Sequence, residues 1–418
     1  MVRRVPDVAA SPVSPHPARD MPSDPRLSAV LCLAIFLAAL NVFAATPFYP
    51  QMAHDLQTTV PLLGQIVTLL ALLSAGLGLV VGPLADRSGY RRPLVIGVLA
   101  IGLALLGTGL APAYPVLLGL SLLMGLGDAL VYGLAFAFAA AHFPGAAQRR
   151  LMSWMVAAIS LAPIIGVPLL GALGGITTWR VALILGGLAT ILSAWVVAAT
   201  VPPDARQHDT PLRLSTFLQA YAPIMGHPVS LRWFAVSALR ATWWYGLLVY
   251  LGAFLAVTFG LQATAISLVY PLVGGAFAVG SLMAGGRLGA RWPRITIAAA
   301  SLAGGLLMGL MLRSPDLRLV LVLLPLLALA AAFWGVGAVA QLAAESPAEA
   351  GTTMVLNSSL LNLGAAGGAV LGGVLITVGG YAALGIGLPV VAMVASVLAW
   401  WPAAIAGRLR GAADQEDG

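Results

Sequence analysis

The sequence predicts an all-α integral membrane protein in which twelve transmembrane helices form two six-helix pseudo-repeat bundles. The first observation is composition: 60% of the residues are hydrophobic and 8% are charged, whereas soluble domains average roughly 45–50% and 25%. The second is the recurrence of apolar runs of about 20 residues, each long enough to cross the hydrocarbon core as a helix. The third is the uneven distribution of arginine between the loops.

The chain divides into five segments. They are a disordered cytoplasmic tail at 1–26, an N-terminal six-helix bundle at 27–201, a central cytoplasmic loop at 202–231, a C-terminal six-helix bundle at 232–405 and a cytoplasmic tail at 406–418. The first tail is rich in proline and polar residues, which cannot bury enough apolar surface to fold. In the central loop, Leu214 to Met225 could form a short amphipathic helix at the membrane surface.

Twelve apolar runs define the helices. The N-terminal bundle holds α1 to α6, predicted at about 27–49, 61–83, 93–111, 115–141, 151–173 and 180–201. The C-terminal bundle holds α7 to α12, predicted at about 232–256, 264–286, 295–312, 318–340, 352–378 and 382–405. A shift of 201 residues aligns Gly166 and Gly171 of α5 with Gly367 and Gly372 of α11. The two bundles therefore resemble each other as a repeat.

Arginine marks the cytoplasmic loops of membrane proteins. With the N-terminus inside, the cytoplasmic positions hold Arg3, Arg4, Arg19, Arg26, Arg87, Arg91, Arg92, Arg149, Arg150, Arg206, Arg213, Arg232, Arg287, Arg291, Arg294, Arg408 and Arg410. The outside holds only Arg180, Arg313 and Arg318, and Arg240 falls within a span. A missed helix would reverse every later loop and spoil this asymmetry. The pattern predicts a multi-pass protein of the inner (plasma) membrane with both termini cytoplasmic.

Several classes of function lack the residues they need. Cys32 is the single cysteine, which excludes an intrachain disulfide and a cysteine metal site. The five histidines are scattered without ligand spacing, and the spans hold no nucleophile–base pair and no phosphate loop. We therefore expect neither an enzyme nor a bound metal or cofactor. The net charge of +7 comes from the topology arginines, so no nucleic-acid partner is expected.

One polar stretch lies between the predicted α2 and α3. It reads Gly82-Pro83-Leu84-Ala85-Asp86-Arg87-Ser88-Gly89-Tyr90-Arg91-Arg92. Such a turn must reverse the chain within about ten residues, and Gly82 and Gly89 allow close backbone approach or positive φ. Asp86 can sit against a helix N-terminus, where the dipole favours a carboxylate. An ordinary positive-inside loop is the other interpretation, although such a loop needs neither the acid nor the paired glycines.

The stretch resembles the signature loop between helices 2 and 3 of the major facilitator superfamily, G-x-L-x-D-R-x-G-R-R. The matching residues are Gly82, Leu84, Asp86, Arg87, Gly89, Arg91 and Arg92, and Tyr90 replaces one basic position. The resemblance extends from α1 to α12 and implies the major facilitator fold, in which two bundles rock about a central cavity lined by α1, α4, α7 and α10. It implies a monomer in the lipid bilayer. It also implies a gate in which Asp86 faces the N-terminus of α11 near Thr352 and Thr353.

Asp128 lies near the middle of the predicted α4. A charge inside the membrane costs at least about 2.5–3.5 kcal/mol and is a functional candidate by default. Asp128 shares one helix face with Ser121, Gly125 and Tyr132, and we expect this face to line the cavity. Three roles stay open for Asp128: a proton carrier, a permanently ionised partner of Arg240 or of a helix end, and a substrate contact that does not titrate.

The same helix bears on energy coupling. Many proton-driven exporters of the superfamily carry an arginine that is followed four residues later by G-x-G. Here Gly125 and Gly127 match the glycines, but Ser121 stands at the arginine position. That departure leaves Asp128 as the candidate for proton coupling.

Arg240 is the second charge within a span, about two turns into the predicted α7. Trp243 and Trp244 share its face, and a guanidinium beside indole rings suits an anionic or aromatic ligand. The other interpretation is an arginine that snorkels to the lipid boundary about 12 Å away. The remaining cavity candidates, each of which could instead bond helix to helix, are Asn41, Tyr250, Asn357 and Asn362.

The predicted α5 contains Ala162-Pro163-Ile164-Ile165-Gly166-Val167-Pro168. Its Pro163 and Gly166 resemble the G-P-x-x-G-G element of exporters in the superfamily. The element favours export over uptake, although small-residue packing between helices explains it equally well.

These observations predict a secondary active transporter that exports a small organic molecule, drug-like or sugar-like, as an antiporter with protons. The closest general resemblance is to bacterial drug and sugar efflux permeases. The alternative is an uptake permease or uniporter for a small organic anion, with Arg240 as its partner. A remote alternative is a non-transporting membrane receptor on the same fold, which would need neither the signature loop nor the buried charges.

Overall fold

A computed structural model describes residues 24–143, 145–203, 221–286, 292–348 and 350–400, without the side chains of 82–88 and 350. In the first half, α1 spans Pro25–Phe43 and is followed by a 3-10 turn at Thr46–Phe48 and a short helix at Tyr49–Asp55. The other helices are α2 at Val60–Ser88, α3 at Arg91–Leu110, α4 at Tyr114–His142, α5 at Gly145–Ile176 and α6 at Trp179–Thr200. A π-helical turn at Ala162–Gly166 interrupts α5.

The second half begins with α7 at Pro228–Phe259, α8 at Ala263–Ala284, α9 at Pro293–Met311 and α10 at Leu317–Glu345. A last helix of 51 residues runs from Ala350 to Trp400, about twice the length that a bilayer requires. Its backbone leaves the helical region at Gly379 and Gly380, and Gly380 has a φ of 64°, which glycine adopts without steric cost. We number its two parts α11 (350–378) and α12 (381–400). The described chain thus contains the twelve predicted spans.

Side-chain caps explain where several helices begin. Asp24 accepts a hydrogen bond from the backbone amide of Arg26 at the start of α1, at 2.9 Å. Asp316 accepts one from the amide of Arg318 at the start of α10, at 2.8 Å. Each oxygen pairs an amide that the helix itself leaves unpaired, which fixes the first turn.

Two boundaries differ from the prediction in ways that affect the site. The predicted turn at 82–92 is mostly helical, because α2 continues to Ser88 and only Gly89 and Tyr90 separate it from α3. A membrane helix can extend past the hydrocarbon, since its backbone hydrogen bonds are internal. Gly89 has a φ of 75°, the positive φ that glycine allows. The helix α7 begins at Pro228 rather than 232, because the side chain of His227 caps it and proline suits a first turn.

Some predicted segments lie outside the described residues. They are residues 1–23 and 401–418, which contain nearly all of both tails, and residues 204–220 of the central loop. Of the predicted amphipathic helix, only 221–225 are described, and these five residues are helical.

The two ends of the bundle differ in charge. We call the end that holds the starts of α1, α3, α5, α7 and α9 the arginine-rich face. Its described arginines are Arg26, Arg91, Arg92, Arg149, Arg150, Arg232 and Arg294. We call the other end, which holds Thr46, Asp55 and Gly260, the opposite face.

The two halves share a core at the opposite face. Between the halves, α2 packs on Ala350–Trp400, α5 packs on α8, and the end of α1 meets α7. One continuous apolar core includes Phe48 of the first half and Tyr250 of the second. A second core, which includes Leu31 and Phe138, lies only in the first half and toward the arginine-rich face. The halves are therefore joined by apolar packing at one end and have separate cores toward the other.

Candidate functional site

Asp128 lies in the middle of α4, fourteen residues from either end of that helix. Its side chain is buried, and 4% of the residue is exposed. One oxygen, Oδ2, accepts a hydrogen bond from the Ser74 hydroxyl at 2.8 Å, and Oδ1 has no hydrogen-bond partner. Among the described residues, no cationic nitrogen lies within 4.0 Å of this carboxyl group. In the part of the chain that the structure describes, the carboxyl group therefore has one donor and no counter-ion.

Close packing of α2 on α4 creates this environment. A Cβ on Gly125 would lie 2.5 Å from the carbonyl oxygen of Leu70, so the glycine lets the two helices approach. Ser121, one turn earlier, is fully buried and donates its hydrogen bond within its own helix. The face that carries Ser121, Gly125 and Asp128 thus packs on α2, which corrects the expectation that it lines the cavity. Only Tyr132 on this face is partly exposed.

The hydrogen bond at Asp128 continues into the other half. Asn362 of α11 donates from Nδ2 to the Ser74 oxygen at 3.3 Å. The other hydrogen bonds between described residues of the two halves join Thr46 to Tyr270 at 2.8 Å, Tyr250 to the Pro61 carbonyl at 3.5 Å and Thr264 to the Gly171 carbonyl at 3.5 Å. These bonds lie at the middle of the bundle or toward the opposite face. Asp128 is therefore connected to the contact between the halves.

Arg240 lies twelve residues from the start of α7, about 18 Å along the helix. This depth exceeds the two turns predicted from the sequence, because α7 begins earlier. Its Nε is buried without a hydrogen-bond partner, and a Cβ on Gly335 of α10 would lie 3.3 Å from that atom. No carboxylate of the described residues lies within 4.0 Å of the guanidinium. Arg240 and Asp128 therefore do not form an ion pair in this structure.

Aromatic side chains from both halves lie near these two charged residues. The rings of Trp244 and Phe277 stack with centroids 5.5 Å apart, which joins α7 to α8. Tyr245 of α7 and Phe43 of α1 are parallel, with centroids 6.4 Å and planes 3° apart. The Tyr245 phenol also interacts electrostatically with both charged side chains. A cation, a carboxyl group and aromatic rings therefore lie near one another at the middle of the bundle.

Sequence reasoning missed Ser74, Phe43, Tyr245 and Phe277. Ser74, Phe43 and Phe277 stand in apolar runs and Tyr245 follows two tryptophans, so no local spacing marks any of them. The partners of Ser74 lie 54 and 288 residues away in the chain. Such contacts arise only when the helices pack.

Trp243 does not line a cavity, which corrects the prediction. It is fully buried, its ring centroid lies 5.5 Å from that of Trp334 of α10, and a Cβ on Gly304 of α9 would lie 3.0 Å from its ring. Successive helical residues are about 100° apart, so Trp243 and Trp244 face different neighbours. Trp243 belongs to the core of the second half.

Three more predicted cavity residues are buried. Tyr250 donates from its hydroxyl to the Ala369 carbonyl at 2.7 Å, so it bonds α7 to α11. Both side-chain amide atoms of Asn41, and the Oδ1 of Asn357, are buried and have no hydrogen-bond partner. The two asparagines therefore hold unused hydrogen-bonding groups inside the bundle.

The predicted helix-packing residues lie where helices meet. The partner helix is α1 for Gly166, α8 for Gly171 and Pro163, and α7 for Gly367 and Gly372. An added Cβ would lie 2.7 Å from Leu40 at Gly166 and 2.6 Å from Tyr250 at Gly372, whereas Gly367 has ordinary space. Gly166, Gly171 and Gly372 therefore need a small residue, and Pro163 fits its ring against α8.

Part of the signature stretch can be placed. The side chains of 82–88 lie outside the described residues, so the contact of Asp86 with α11 stays a prediction. The Thr353 hydroxyl, on the first turn of α11, pairs with a neighbouring serine at 2.7 Å. Arg91 donates from its guanidinium to the Ala198 carbonyl near the end of α6. Arg91 therefore ties α3 to α6 within the first half.

Comparisons with known proteins agree with this architecture. Residues 31–346 match the family described as Major Facilitator Superfamily. YbcL of Bacillus subtilis (strain 168), an uncharacterised MFS-type transporter, is 27% identical over 83% of this chain and 88% of its own length. The chloramphenicol resistance protein of Pseudomonas aeruginosa is 33% identical over 40% of this chain and 41% of its own. The 4-hydroxybenzoate transporter PcaK of the same species is 28% identical over 48% and 43%. The last two alignments cover less than half of those relatives.

A solved structure shares the fold. A bacterial homolog of the human lysosomal transporter Spinster, in an inward-facing and occupied conformation, matches with a TM-score of 0.72 and 16% identity. The match covers 91% of this chain and 97% of that chain. At this identity the likeness concerns the arrangement of the helices alone.

Proposed function

Because the chain belongs to the major facilitator superfamily, we propose that it is an antiporter that exports a small organic molecule in exchange for protons, with Asp128 as the proton-carrying residue. One observation carries the proposal. Asp128 is buried at the middle of α4 with one donor and no counter-ion among the described residues. An ionised carboxylate is costly in such a place unless it is paired, whereas the neutral acid is tolerated. The balance between the two forms depends on the donors that reach the carboxyl group, so a rearrangement of the halves that changes those donors would bind or release the proton.

Alternating access supplies that rearrangement. The two halves share one apolar core toward the opposite face, and the first half has a second core toward the arginine-rich face, so we infer that the opposite face is the closed one. We assign the arginine-rich face to the cytoplasm, because positive residues remain inside. Both termini would then be cytoplasmic and the protein would act in the inner membrane as a monomer, without a cofactor. The signature stretch, with Asp86 against α11, would close the cytoplasmic side in the other state.

Two observations favour export as the direction of transport. Similarity to a chloramphenicol resistance protein supports export of a drug-like molecule. Pro163 and the π-helical turn of α5 lie against Gly274 of α8, where the halves meet. A helix that bends at this contact would let the halves rock without losing it.

A second candidate function is transport of a small organic anion, by uptake or as a uniporter. The guanidinium of Arg240 has no acid within 4.0 Å among the described residues, and it interacts electrostatically with the phenol of Tyr245. An unpaired arginine inside the bundle favours a ligand that brings a carboxylate. Similarity to a 4-hydroxybenzoate transporter supports an aromatic acid as that ligand.

Proton release from the purified, detergent-solubilised protein tests both candidates. A panel of compounds that begins with chloramphenicol and 4-hydroxybenzoate is added to the unbuffered protein, and the pH is recorded. Asp128→Asn is measured alongside Asp316→Asn, the same change at an exposed helix cap.

We expect the wild type and Asp316→Asn to release protons, and Asp128→Asn to release none. Release that persists in Asp128→Asn would remove Asp128 from the role. Binding of 4-hydroxybenzoate without proton release would favour the second candidate.

A further inference from the structure

Asn362, Ser74 and Asp128 form one chain of hydrogen bonds that begins in the second half and ends in the first. We propose that Ser74 and Asn362 are positioning residues that couple the proton on Asp128 to the contact between the two halves. The inference rests on the proposed role of Asp128 as a proton carrier. It adds the means by which that proton influences the arrangement of the helices.

The hydrogen bonds that join these three residues all point from Asn362 toward Asp128. The amide of Asn362 donates to the Ser74 oxygen at 3.3 Å, and the Ser74 hydroxyl donates to Oδ2 of Asp128 at 2.8 Å. Ser74 has a single hydroxyl proton, which it donates to Asp128, and the lone pairs of its oxygen remain available to accept from Asn362. An ionised carboxylate accepts without donating, and a hydrogen bond to it is about twice as strong as one between neutral groups. The complete chain therefore fits the ionised form of Asp128.

The neutral acid fits the chain less well. A protonated carboxyl group carries its own donor, which can occupy the Ser74 oxygen and turn the serine proton elsewhere. The Ser74 oxygen has two lone pairs and can then accept from both groups, but Asp128 no longer receives a charge-assisted hydrogen bond. Hydrogen bonds in series also polarise one another, so weakening one link weakens the next.

The position of the chain makes it responsive to movement of the halves. Ser74 lies on α2 and Asn362 on α11, and these two helices pack directly against each other. Ser359 lies one turn before Asn362 at the same contact, and its hydroxyl has no hydrogen-bond partner. An added Cβ on Gly78 of α2 would lie 3.6 Å from that hydroxyl oxygen. Asn362 therefore makes the hydrogen bond between α2 and α11 at this depth, whereas Ser359 beside it makes none.

Linkage makes the coupling reciprocal. If the closed contact favours the ionised form, then binding of a proton favours separation of the helices by the same factor. A proton that arrives at Asp128 would loosen the contact between α2 and α11, and closure of that contact would expel the proton. The site thus converts proton occupancy into a bias between two arrangements of the halves.

Few other ionisable groups face Asp128. Tyr132 of α4 and Tyr245 of α7 interact with it electrostatically, and Arg240 interacts with Tyr245. The helices α1, α2, α3, α5 and α11 carry no charged side chain at this depth among the described residues. Among the described side chains, the charged residues of the helices that pack on α4 lie near helix ends and are Arg26, Arg91, Arg92, Arg149 and Arg150. A response to pH at the middle of the bundle would therefore come from Asp128.

A spin-label experiment on the full chain tests the coupling without a known substrate. Labels are placed on Gln51→Cys and Gln262→Cys, two exposed positions of different halves at the opposite face, in a Cys32→Ser background. The distance distribution between the labels is measured in liposomes from about pH 5 to pH 9, a range wide enough to cover a shifted carboxylic acid. The fraction of the longer distance at each pH gives a midpoint for the change in arrangement.

The expected result is a single midpoint that disappears in Asp128→Asn. Ser74→Ala should move the midpoint to higher pH by about one unit, a tenfold change in proton affinity, because the ionised form loses its donor. Asn362→Leu should move it in the same direction by less. Ser74→Thr keeps the hydroxyl and should restore the midpoint, and Ser359→Ala at the same contact should leave it unchanged.

The outcomes separate the two proposals. A midpoint in Ser74→Ala that equals that of Ser359→Ala would overturn the coupling and leave Asp128 as the proton carrier. A pH response that survives in Asp128→Asn, or a background protein without any response, would overturn both. Ser74→Thr and Ser359→Ala show whether a change at this contact alone prevents folding, since they alter the same helices.

Discussion

The hydroxyl oxygens of Thr46 and Tyr270 lie 2.8 Å apart and join the end of α1 to α8. Both residues are buried, so water does not compete for this hydrogen bond. Beside it, a Cβ on Gly252 of α7 would lie 2.8 Å from the Thr46 carbonyl oxygen, which shows how closely the halves approach there. The pair is one of the polar contacts that hold the opposite face closed.

Removal of the Tyr270 hydroxyl should favour opening of that face. Tyr270→Phe keeps the ring and removes a hydrogen bond with a net contribution of about 0.5–1.5 kcal/mol, so the ratio of open to closed protein should rise by roughly two- to tenfold. The label pair at 51 and 262 measures that ratio. Tyr381→Phe, at a ring that packs on Phe254 within the second half, should not change it.

Substitution of Asp128 should separate driven transport from exchange. In proteoliposomes, Asp128→Asn should abolish accumulation of radiolabelled chloramphenicol driven by a pH gradient, because the amide cannot carry a proton. Exchange of labelled for unlabelled compound should continue, since that process needs no net proton movement. Asp316→Asn should behave as the wild type. Continued pumping against a gradient by Asp128→Asn would contradict the assignment.

Loss of the Arg240 charge should weaken the binding of anions and leave the binding of neutral compounds unchanged. Arg240→Gln should weaken binding of 4-hydroxybenzoate by at least about tenfold, because a buried charge-assisted hydrogen bond contributes about 1.5–3 kcal/mol. Calorimetric titration should show chloramphenicol binding unchanged. Gly335→Ala should act in the same direction, since its Cβ would lie 3.3 Å from the Arg240 side chain. Arg318→Gln, at an exposed arginine, is the control, and unchanged affinity in Arg240→Gln would refute the anion site.

A methyl group at Gly125 should destabilise the bundle. Its Cβ would lie 2.5 Å from the Leu70 carbonyl oxygen, so α2 and α4 would have to separate. Overpacking of this kind costs about 1–3 kcal/mol, and the melting temperature of the purified protein should fall. Gly119→Ala, on the same helix with no atom within 4 Å of the added Cβ, should leave it unchanged or slightly raised. Equal melting temperatures of the two variants would show that the contact is looser than described.

Much of the architecture could be predicted because a membrane helix is determined locally. Length and apolar content decide whether a segment crosses the bilayer, and the predicted spans agree with the helices to within several residues. The helix α1 ends at Phe43, before its predicted end at 49, because a 3-10 turn follows. Other errors fall where a helix extends past the hydrocarbon, as α2 does to Ser88 and α7 does from Pro228. Beyond the hydrocarbon the backbone groups remain hydrogen-bonded within the helix, so hydropathy no longer indicates where the helix ends.

The site was predicted only in part. Asp128 and Arg240 stand out in the sequence because a charge within an apolar run is rare. The residues around them do not stand out. Uncharged residues such as Ser74, Tyr245 and Gly335 are common in membrane helices. An ion pair between the two charges, one of the alternatives left open, is absent among the described contacts, and the face of Asp128 packs on α2.

The sequence alone determined that this protein spans a membrane twelve times as two repeats of six helices, because hydropathy and arginine placement act over one span or one loop. It also singled out the two intramembrane charges. Only the tertiary structure decided what each charge touches: Asp128 bonds Ser74 and, through it, the other half, while Arg240 lies against Gly335 of α10 with its Nε unpaired. The physical reason is that helices in lipid meet through small residues and scattered polar groups, whose pairing depends on the relative rotation of whole helices and leaves no periodic trace in the chain.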